Sequence, residues 1–420
     1  MKQLLSVLLL GLPLGLAVAA TGKPMPGKGG ETATTGSPVA EKVMLTVGNP
    51  SDRQRQEVVE VNLEQLCQQL HVAPSTGLIV RNAFGQEVTY QRTYDGKLLL
   101  YVSVQPQGKA VFTVAEGRPL PFKSFVYGRV YPERADDITW ENDRGIYRVY
   151  GPALQRTGER SFGTDVWTKS TPELVVEDRY KTHFQGMHLR DSLRKAGEAA
   201  AAREADLAFS FHHDHGYGLD CYGVGPSLGC GAPALMRDGR LEPPYCYQQY
   251  KILDNGPLRF TVRLTYGKRD DGITEHRLIS LDRGSHFCRM TVRYEGVDRT
   301  EASEGQTRLA FATGVVLHGR DHLVMGKNFV QYADPTDTPD VHQSQIYVAT
   351  LFPEGIDETL LLEGEKDHAL GIVRNYDGRP YTYYFGSAWS SYDVRTQAQW
   401  QLVIDEFLDN LSNPLKTQLQ

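Results

Sequence analysis

The stretch FHHDHGYGLDCYGVGPSLGCG, residues 211–231, sets three histidines and two aspartates beside six glycines. Glycine loses more conformational freedom on folding than any other residue and contributes no side-chain packing. Such a concentration is tolerated where the backbone turns sharply or a ligand approaches closely. His212, Asp214, His215 and Asp220 precede or interrupt this loop. Histidine titrates nearest neutral pH, and a neighbouring carboxylate can fix its tautomer, so acid–base chemistry is expected here. The plain alternative is a well-bonded turn with no chemistry. His212-x-Asp214-His215 also offers nitrogen and oxygen ligands, which keeps a divalent metal open, although the i, i+4 pair of a helical zinc site is missing. No other cofactor is indicated.

A second cluster, YGRVYPERADDITWENDRGIYRVYGPAL at 127–154, packs acids and arginines among tyrosines and tryptophans. On a strand, Glu141 and Asp143 would share a face with Cα atoms ~6.6 Å apart, from a rise of ~3.3 Å per residue. Inverting glycosidases hold their carboxyl groups ~6.5–9.5 Å apart, so this pair is a candidate for hydrolysis. Arginine grips a planar carboxylate with two parallel hydrogen bonds. Arg129, Arg134 and Arg144, with Trp140 beside them, are therefore candidate contacts to an acidic substrate. The alternative is an ion-pair network along a sheet edge. A third cluster is GTDVWTKSTPELVVEDRYK at 163–181, and His318 in VVLHGR is a further candidate for the same pocket. No Gly-x-Ser-x-Gly elbow, phosphate loop or dinucleotide fingerprint occurs, which argues against those hydrolase, kinase and dehydrogenase classes.

The elements that must position these residues read as strands. Between 42 and 116, short runs such as VMLTVGN, EVVEVN, GLIVRN, LLLYVSVQ and AVFTVAE are separated by turn signals, the pattern of a small β-sandwich. Gly-Arg-Pro-Leu-Pro at 117–121 marks a boundary. From 122 to 412 the chain is again strand-dominated. In Leu258–Tyr266 apolar and polar residues alternate strictly, which marks a strand with one buried face. Similar runs at 274–281, 286–295, 307–318, 345–352, 359–363, 369–375 and 381–385 imply large antiparallel sheets. An Ala-rich exposed helix is expected over Leu189–Leu207. Near the end, Trp400, Val403, Ile404, Phe407 and Leu411 fall at helical spacing, with Pro414 as a stop.

The first nineteen residues carry one lysine, an apolar run interrupted by Pro13 and an Ala17-Val18-Ala19 type cleavage site, the signature of a secretory signal peptide. Residues 20–41 read as a flexible leader, and no lipobox cysteine follows. Export to the periplasm or medium is expected, without membrane insertion. The formal charge of −6 argues against a nucleic-acid surface. Cys67, Cys221, Cys230, Cys246 and Cys288 fit one or two disulfides or free thiols better than a zinc site.

Taken together, YGR-x-YPER-x-DD-x-x-WEND-R at 127–144, GTDVW-x-K-x-TPELV at 163–175 and H-x-DHG-x-GLD-x-Y-x-VG-x-x-LG-x-G at 212–231 resemble a large family labelled a domain of unknown function. Its members are exported proteins encoded beside unsaturated-uronyl hydrolases and lyases in polysaccharide-utilisation loci. One branch is associated with dehydration of a uronic acid at the non-reducing end of an oligosaccharide, as in ulvan breakdown. The resemblance implies an acidic oligosaccharide as partner. The expected architecture is all-β: a small N-terminal β-sandwich, then a large antiparallel β-supersandwich of the galactose-mutarotase-like kind. In a β-elimination the C5 hydrogen lies next to a carboxylate, so an arginine on that carboxylate stabilises the enolate-like state. His215 is cast as base, oriented by Asp214 or Asp220. Arg144 or Arg134 would hold the carboxylate, and Tyr222 or His212 would protonate the leaving group. A hydrolase using Glu141 and Asp143 and a carbohydrate-binding protein without activity are the competing readings.

Overall fold

The computed structural model describes residues 41–243, 245–297, 309–335 and 344–420. The expected signal peptide, nearly all of the leader and the start of the 307–318 strand lie outside the described residues. The alternation in Leu258–Tyr266 appears as the strand Arg259–Tyr266, with Phe260, Val262 and Leu264 buried and Arg263 exposed. It belongs to an eight-stranded antiparallel sheet in the order Tyr247–Asn255, Arg259–Tyr266, Thr274–Asp282, Phe287–Glu295, Tyr381–Trp389, Gln345–Leu351, Phe329–Pro335 and Leu323–Met325.

Two further sheets make the opposing layer. One has four strands, Thr164–Trp167, Ile146–Val149, Asp137–Glu141 and Tyr127–Tyr131 in spatial order. The other has five and centres on Cys230–Arg237, Ala310–Leu317 and Asp367–Val373. A parallel bridge between Thr164 and Gly229 joins them. Ile138, Trp140, Tyr147 and Val166 from the first, Leu235, Phe311 and Val315 from the second, and Phe260, Ile279, Met290 and Tyr383 from the eight-stranded sheet share one buried cluster. Each such side chain contributes ~1.5–3 kcal/mol by leaving water. The mainly β, sandwich-type fold is therefore as expected.

The N-terminal region has its own core, with Leu45, Val47, Leu66, Leu98 and Val114 among its residues. Two small antiparallel sheets enclose it, together with helix α1 (Leu63–Gln69), whose first turn is capped by Asn62. The last strand, Lys416–Leu419, returns to pair with Lys42–Gly48. Pattern reading stopped at the preceding helix and missed this closure, because KTQL carries no apolar alternation.

Helix α2 (Pro152–Gln155) is one short turn. The Ala-rich segment forms two helices rather than one, α3 (Val176–Lys195) and α4 (Ala199–Phe209). They are broken at Gly197, whose φ of +79° an L side chain rarely adopts. Within Leu189–Leu207 most side chains are exposed, as expected, with Ala202 and Ala205 buried, whereas the earlier part of α3 buries Val176, Arg179, Tyr180 and His183. Helix α5 (Gln397–Ser412) packs Trp400 and Ile404 on Phe287, Tyr347 and Leu351 of the eight-stranded sheet's outer face, as its apolar stripe predicts. All five cysteines are free thiols. Among the described residues no group of three His, Cys, Asp or Glu side chains is disposed to hold a metal, and no helix is long and apolar enough to cross a membrane.

Candidate active site

Strand alternation sends Ile138, Trp140, Tyr147 and Val166 into the main core. Their neighbours Asp137, Thr139, Glu141, Arg148 and Asp165 must then point to the outer face of the four-stranded sheet. Register sets Arg148 opposite Thr139 on one side and Asp165 on the other, so a guanidinium sits at the centre of this face. Helix α3 and the segment 211–220 cover it. The Tyr180 hydroxyl lies 2.9 Å from Thr139 Oγ1, and Phe211 stacks on Trp167 with centroids 5.0 Å apart.

The glycines of the loop are needed where backbone meets backbone. Gly218 has φ +92°, and a Cβ there would stand 2.3 Å from the Thr168 carbonyl oxygen. Leu219 N donates to Thr168 Oγ1 at 2.7 Å, while Thr168 N donates to Leu219 O at 3.0 Å. Gly229 approaches as closely, with a Cβ placed 2.2 Å from Thr164 O. These contacts splice the loop onto the strand that carries Asp165 and deliver Asp220 to Arg148.

Arg148 Nη2 lies 2.5 Å from Asp165 Oδ2 and 3.0 Å from Asp220 Oδ2, and its Nε lies 3.9 Å from Asp137 Oδ2. All four side chains are buried. One guanidinium faces three carboxylates, and burial penalises every negative charge it does not neutralise. Burial pushes Asp137 up to about 6 against the pull of Arg148 and Arg134. Burial likewise holds Asp165 well above the usual carboxylate range. Buried Arg179, drawn down to about 10 by desolvation, donates to Phe211 O at 3.2 Å and packs on Trp167. Tyr150 lies beside Arg148, 5.0 Å from guanidinium carbon to ring centroid, and burial keeps its phenol protonated.

At the solvent edge of this hub stands His212. Its exposed ring places Nδ1 2.8 Å from the backbone oxygen of Asp220 and 4.0 Å from that residue's Oδ2. A carbonyl only accepts, so Nδ1 carries a hydrogen, and in the neutral ring the lone pair is on Nε2. His183 stacks on Phe211 at 3.8 Å and is pushed down to about 4, by burial first and by His212 second, which keeps it neutral.

The other expected residues divide clearly. His215 is exposed and donates from Nε2 to Ser210 O at 3.0 Å. Asp214 does not orient it: its Oδ1 accepts from Gly216 N and Gly218 N at 2.8 and 2.9 Å and so shapes the turn. Asp220 belongs to the Arg148 hub. Tyr222 is corrected, because its hydroxyl is fully buried in the main core, out of reach of any leaving group. Trp140 is corrected for the same reason, with its Nε1 donating to Cys288 Sγ inside the core. Arg129 is occupied by Glu133 and Glu177 in a surface ion-pair network. Arg144 sits at the hairpin tip, paired with Asp393 at 2.8 Å, before the strand Ile146–Val149 that carries Arg148. Of the three arginines only Arg134 approaches the hub, with Nη1 3.8 Å from Asp137 Oδ2.

The Glu141–Asp143 pair is also corrected. The strand ends at Glu141, and the following turn sends Asp143 to accept from Gly284 N at 2.7 Å. Glu141 is buried, with Oε2 2.5 Å from Lys169 Nζ and Oε1 accepting from Val175 N and Val176 N at 2.8 Å each. It anchors the N-terminus of α3, where the helix dipole favours an anion. Burial draws the Lys169 ammonium below its ordinary value, against the pull of Glu141. His318 is likewise engaged at both ring nitrogens, Nδ1 at 2.5 Å from Asp334 Oδ2 and Nε2 at 2.7 Å from Gly223 O. Two acceptors call for an imidazolium. Although burial opposes the charge, the Asp334 carboxylate outweighs it and holds His318 above its ordinary value. It is a tether for the glycine loop, not a base.

Sequence reasoning missed Arg148, Asp165 and Tyr150. The signal was present: IYRVY and TDVW each place one charge inside a run that is otherwise apolar or aromatic, which makes sense only if that charge is met by another.

The sequence matches, over residues 47–417, the profile of a family described as a domain of unknown function (DUF4861). A Formosa agariphila protein described as uncharacterized protein P7 is 26% identical over 415 residues, covering 91% of this chain and 94% of the relative. Among solved structures, a protein in the glycosyl hydrolase family 38 from Enterococcus faecalis aligns with TM-score 0.47 at 10% identity, over 90% of this chain and 47% of that one. An alpha-mannosidase from Enterococcus faecalis V583 aligns with TM-score 0.41 at 10% identity, over 90% and 46%. The chain thus spans about half the length of these solved proteins.

Proposed function

We propose, for a chain that belongs to the DUF4861 family, that it is an exported enzyme performing β-elimination on an oligosaccharide ending in a uronic acid. The observation that carries this reading is the exposed His212 ring, with Nδ1 committed to Asp220 O, poised over the buried Arg148 hub. In the proposed reaction His212 Nε2 takes the C5 proton of the terminal uronic acid. The electron pair of that bond forms the C4–C5 double bond, and the C4–O bond breaks. Tyr150 supplies the proton with which the C4 hydroxyl leaves as water, and the Arg148 guanidinium beside its ring offsets the charge left on the phenol oxygen. Arg134, partly exposed and held only loosely by Asp137, neutralises the carboxylate that receives charge in the transition state. His212 thus takes the role that the sequence alone gave to His215, and Tyr150 the one given to Tyr222.

General-base catalysis of this kind is worth ~10²–10⁴-fold in rate. The hydrolytic reading loses its named pair, because Glu141 and Asp143 serve Lys169, α3 and Gly284. The test is to incubate the protein with a saturated uronic-acid tetrasaccharide and follow ultraviolet absorbance. A rising signal from a C4–C5 double bond supports elimination; new reducing ends without that signal would replace it with hydrolysis.

A further inference from the structure

The glycine loop is fastened at both ends. Leu219 is spliced onto Thr168, and Leu228 N donates to His368 Nε2 at 3.1 Å while Leu228 O accepts from Thr164 N at 3.2 Å. Between these points His318 reaches Gly223 from the end of the strand Ala310–Leu317. The fit is close, since a Cβ on Gly223 would stand 3.1 Å from His318 Nε2. Gly223 follows closely on Asp220, which serves both Arg148 and His212.

A neutral imidazole has one N–H and one lone pair, so it cannot donate to both Asp334 and Gly223. Asp334 is a buried carboxylate and the stronger acceptor, which keeps the hydrogen on Nδ1. Loss of the second proton therefore sets the Nε2 lone pair against the Gly223 carbonyl oxygen at 2.7 Å, a contact that repels. Among the groups around the ring, Lys366 opposes its charge from the turn before the strand Asp367–Val373. Tyr222 meets it edge-on at 5.6 Å, with a phenol that burial keeps protonated. The Tyr332 phenol is pushed up to about 12 by burial, with Asp334 and Asp321 adding to it. Arg320 is spent on Glu363 and Asp367. His368, at the other end of the loop, accepts from Leu228 N and is pushed down to about 4 by burial, so it stays neutral where His318 titrates.

We propose that His318 is a positioning residue that works only while charged: the imidazolium ties Gly223 to Asp334, and the neutral ring releases the glycine loop and with it the placement of Asp220. Burial opposes the charge, yet the hydrogen bond and carboxylate of Asp334 hold His318 above the ordinary 6.5. The tether is therefore complete below about 6.5 and is lost as pH rises through that higher folded value. An alkaline fall in turnover rests on the elimination reading above, whereas the release of the loop does not.

The test measures amide exchange over residues 219–225 of the full chain, corrected for its intrinsic pH dependence, at about pH 6 and about pH 9, either side of the histidine range. In the native protein exchange should quicken by about tenfold or more at the higher pH, the effect of losing one charge-assisted hydrogen bond. Asp334→Asn should remove that change, because an amide can donate to Nδ1 and leave the hydrogen of a neutral ring on Nε2, facing Gly223. His318→Ala should exchange fast at both pH values. Equally slow exchange at both in the native protein, or the same quickening in Asp334→Asn, would overturn the proposal. Turnover of a uronic-acid tetrasaccharide should fall over the same range in the native protein and hold in Asp334→Asn. Turnover that stays level while native exchange quickens would strip His318 of its positioning role. If no uronic saccharide is turned over at either pH while exchange follows this pattern, the tether stands and the elimination reading falls alone.

Discussion

The Nδ1 atom of His212 lies 2.8 Å from the backbone oxygen of Asp220, whose own carboxylate lies 3.0 Å from Arg148 Nη2. One residue thus fixes the tautomer of an exposed imidazole and ties it to a buried ionic hub. The imidazole is free to work because the aspartate spends its backbone on the ring and its side chain on the arginine.

This division predicts unequal histidines. His212→Ala should lower kcat by ~10²–10⁴-fold, the worth of a general base, with an unchanged circular dichroism spectrum because the ring is exposed. His215→Ala, which loses only a bond to Ser210 O, should keep kcat within about tenfold of the native value. Equal losses in both variants would remove the special role given to His212.

Burial of Asp137 predicts a pH signature. Its folded value of about 6 exceeds the ordinary 3.8, so the folded state binds the proton more tightly than the unfolded one. The contribution to stability is therefore present in full below about 4, and is lost as pH rises through about 6. A shift of about two pH units is on the order of 3 kcal/mol. Asp137→Asn cannot ionise, so its stability relative to the native protein should be higher at pH 8 than at pH 5. Urea unfolding at the two pH values measures the difference.

Gly218→Ala should cost several kcal/mol, since a non-glycine residue at such φ costs ~1–3 kcal/mol before any clash with the Thr168 carbonyl is counted. Hydrogen exchange should then quicken at Leu219 and Asp220, and turnover should fall with it. Unchanged protection of those amides would mean that the close approach is not what holds the loop.

Glu141 is predicted to matter for folding rather than chemistry. Glu141→Gln strands the Lys169 ammonium in the interior and should destabilise by ~3–5 kcal/mol. Adding Lys169→Met should recover part of that loss, because the pair is then gone as a whole. Turnover per folded molecule should stay near native. A folded Glu141→Gln protein without activity would return Glu141 to the chemistry.

The sheets were legible because strand alternation records which face is buried, as in Leu258–Tyr266. Helix α5 was legible because Trp400, Ile404 and Phe407 recur at helical spacing. The glycine loop was legible as a place of close backbone approach, which Gly218 and Gly229 make against Thr168 and Thr164. What stayed hidden depends on register. Nothing local says that Arg148 faces Thr139 and Asp165, or that Glu141 reaches forward to the start of α3. Glu141 and Asp143 looked like a face-sharing pair only because the end of the strand at Glu141 leaves no mark in the sequence. The closing strand Lys416–Leu419 was hidden likewise, since its partner lies at the other end of the chain.

The central claim is that His212 removes a proton from a uronic sugar and water departs without chain cleavage. The mass spectrum of a uronic-acid-terminated tetrasaccharide, taken before and after incubation with the native protein and with His212→Ala, tests it most directly. The native protein should yield a tetrasaccharide lighter by one water, and the variant should leave the substrate unchanged. Shorter saccharides that have gained water, or the same dehydrated product from the variant, would contradict it.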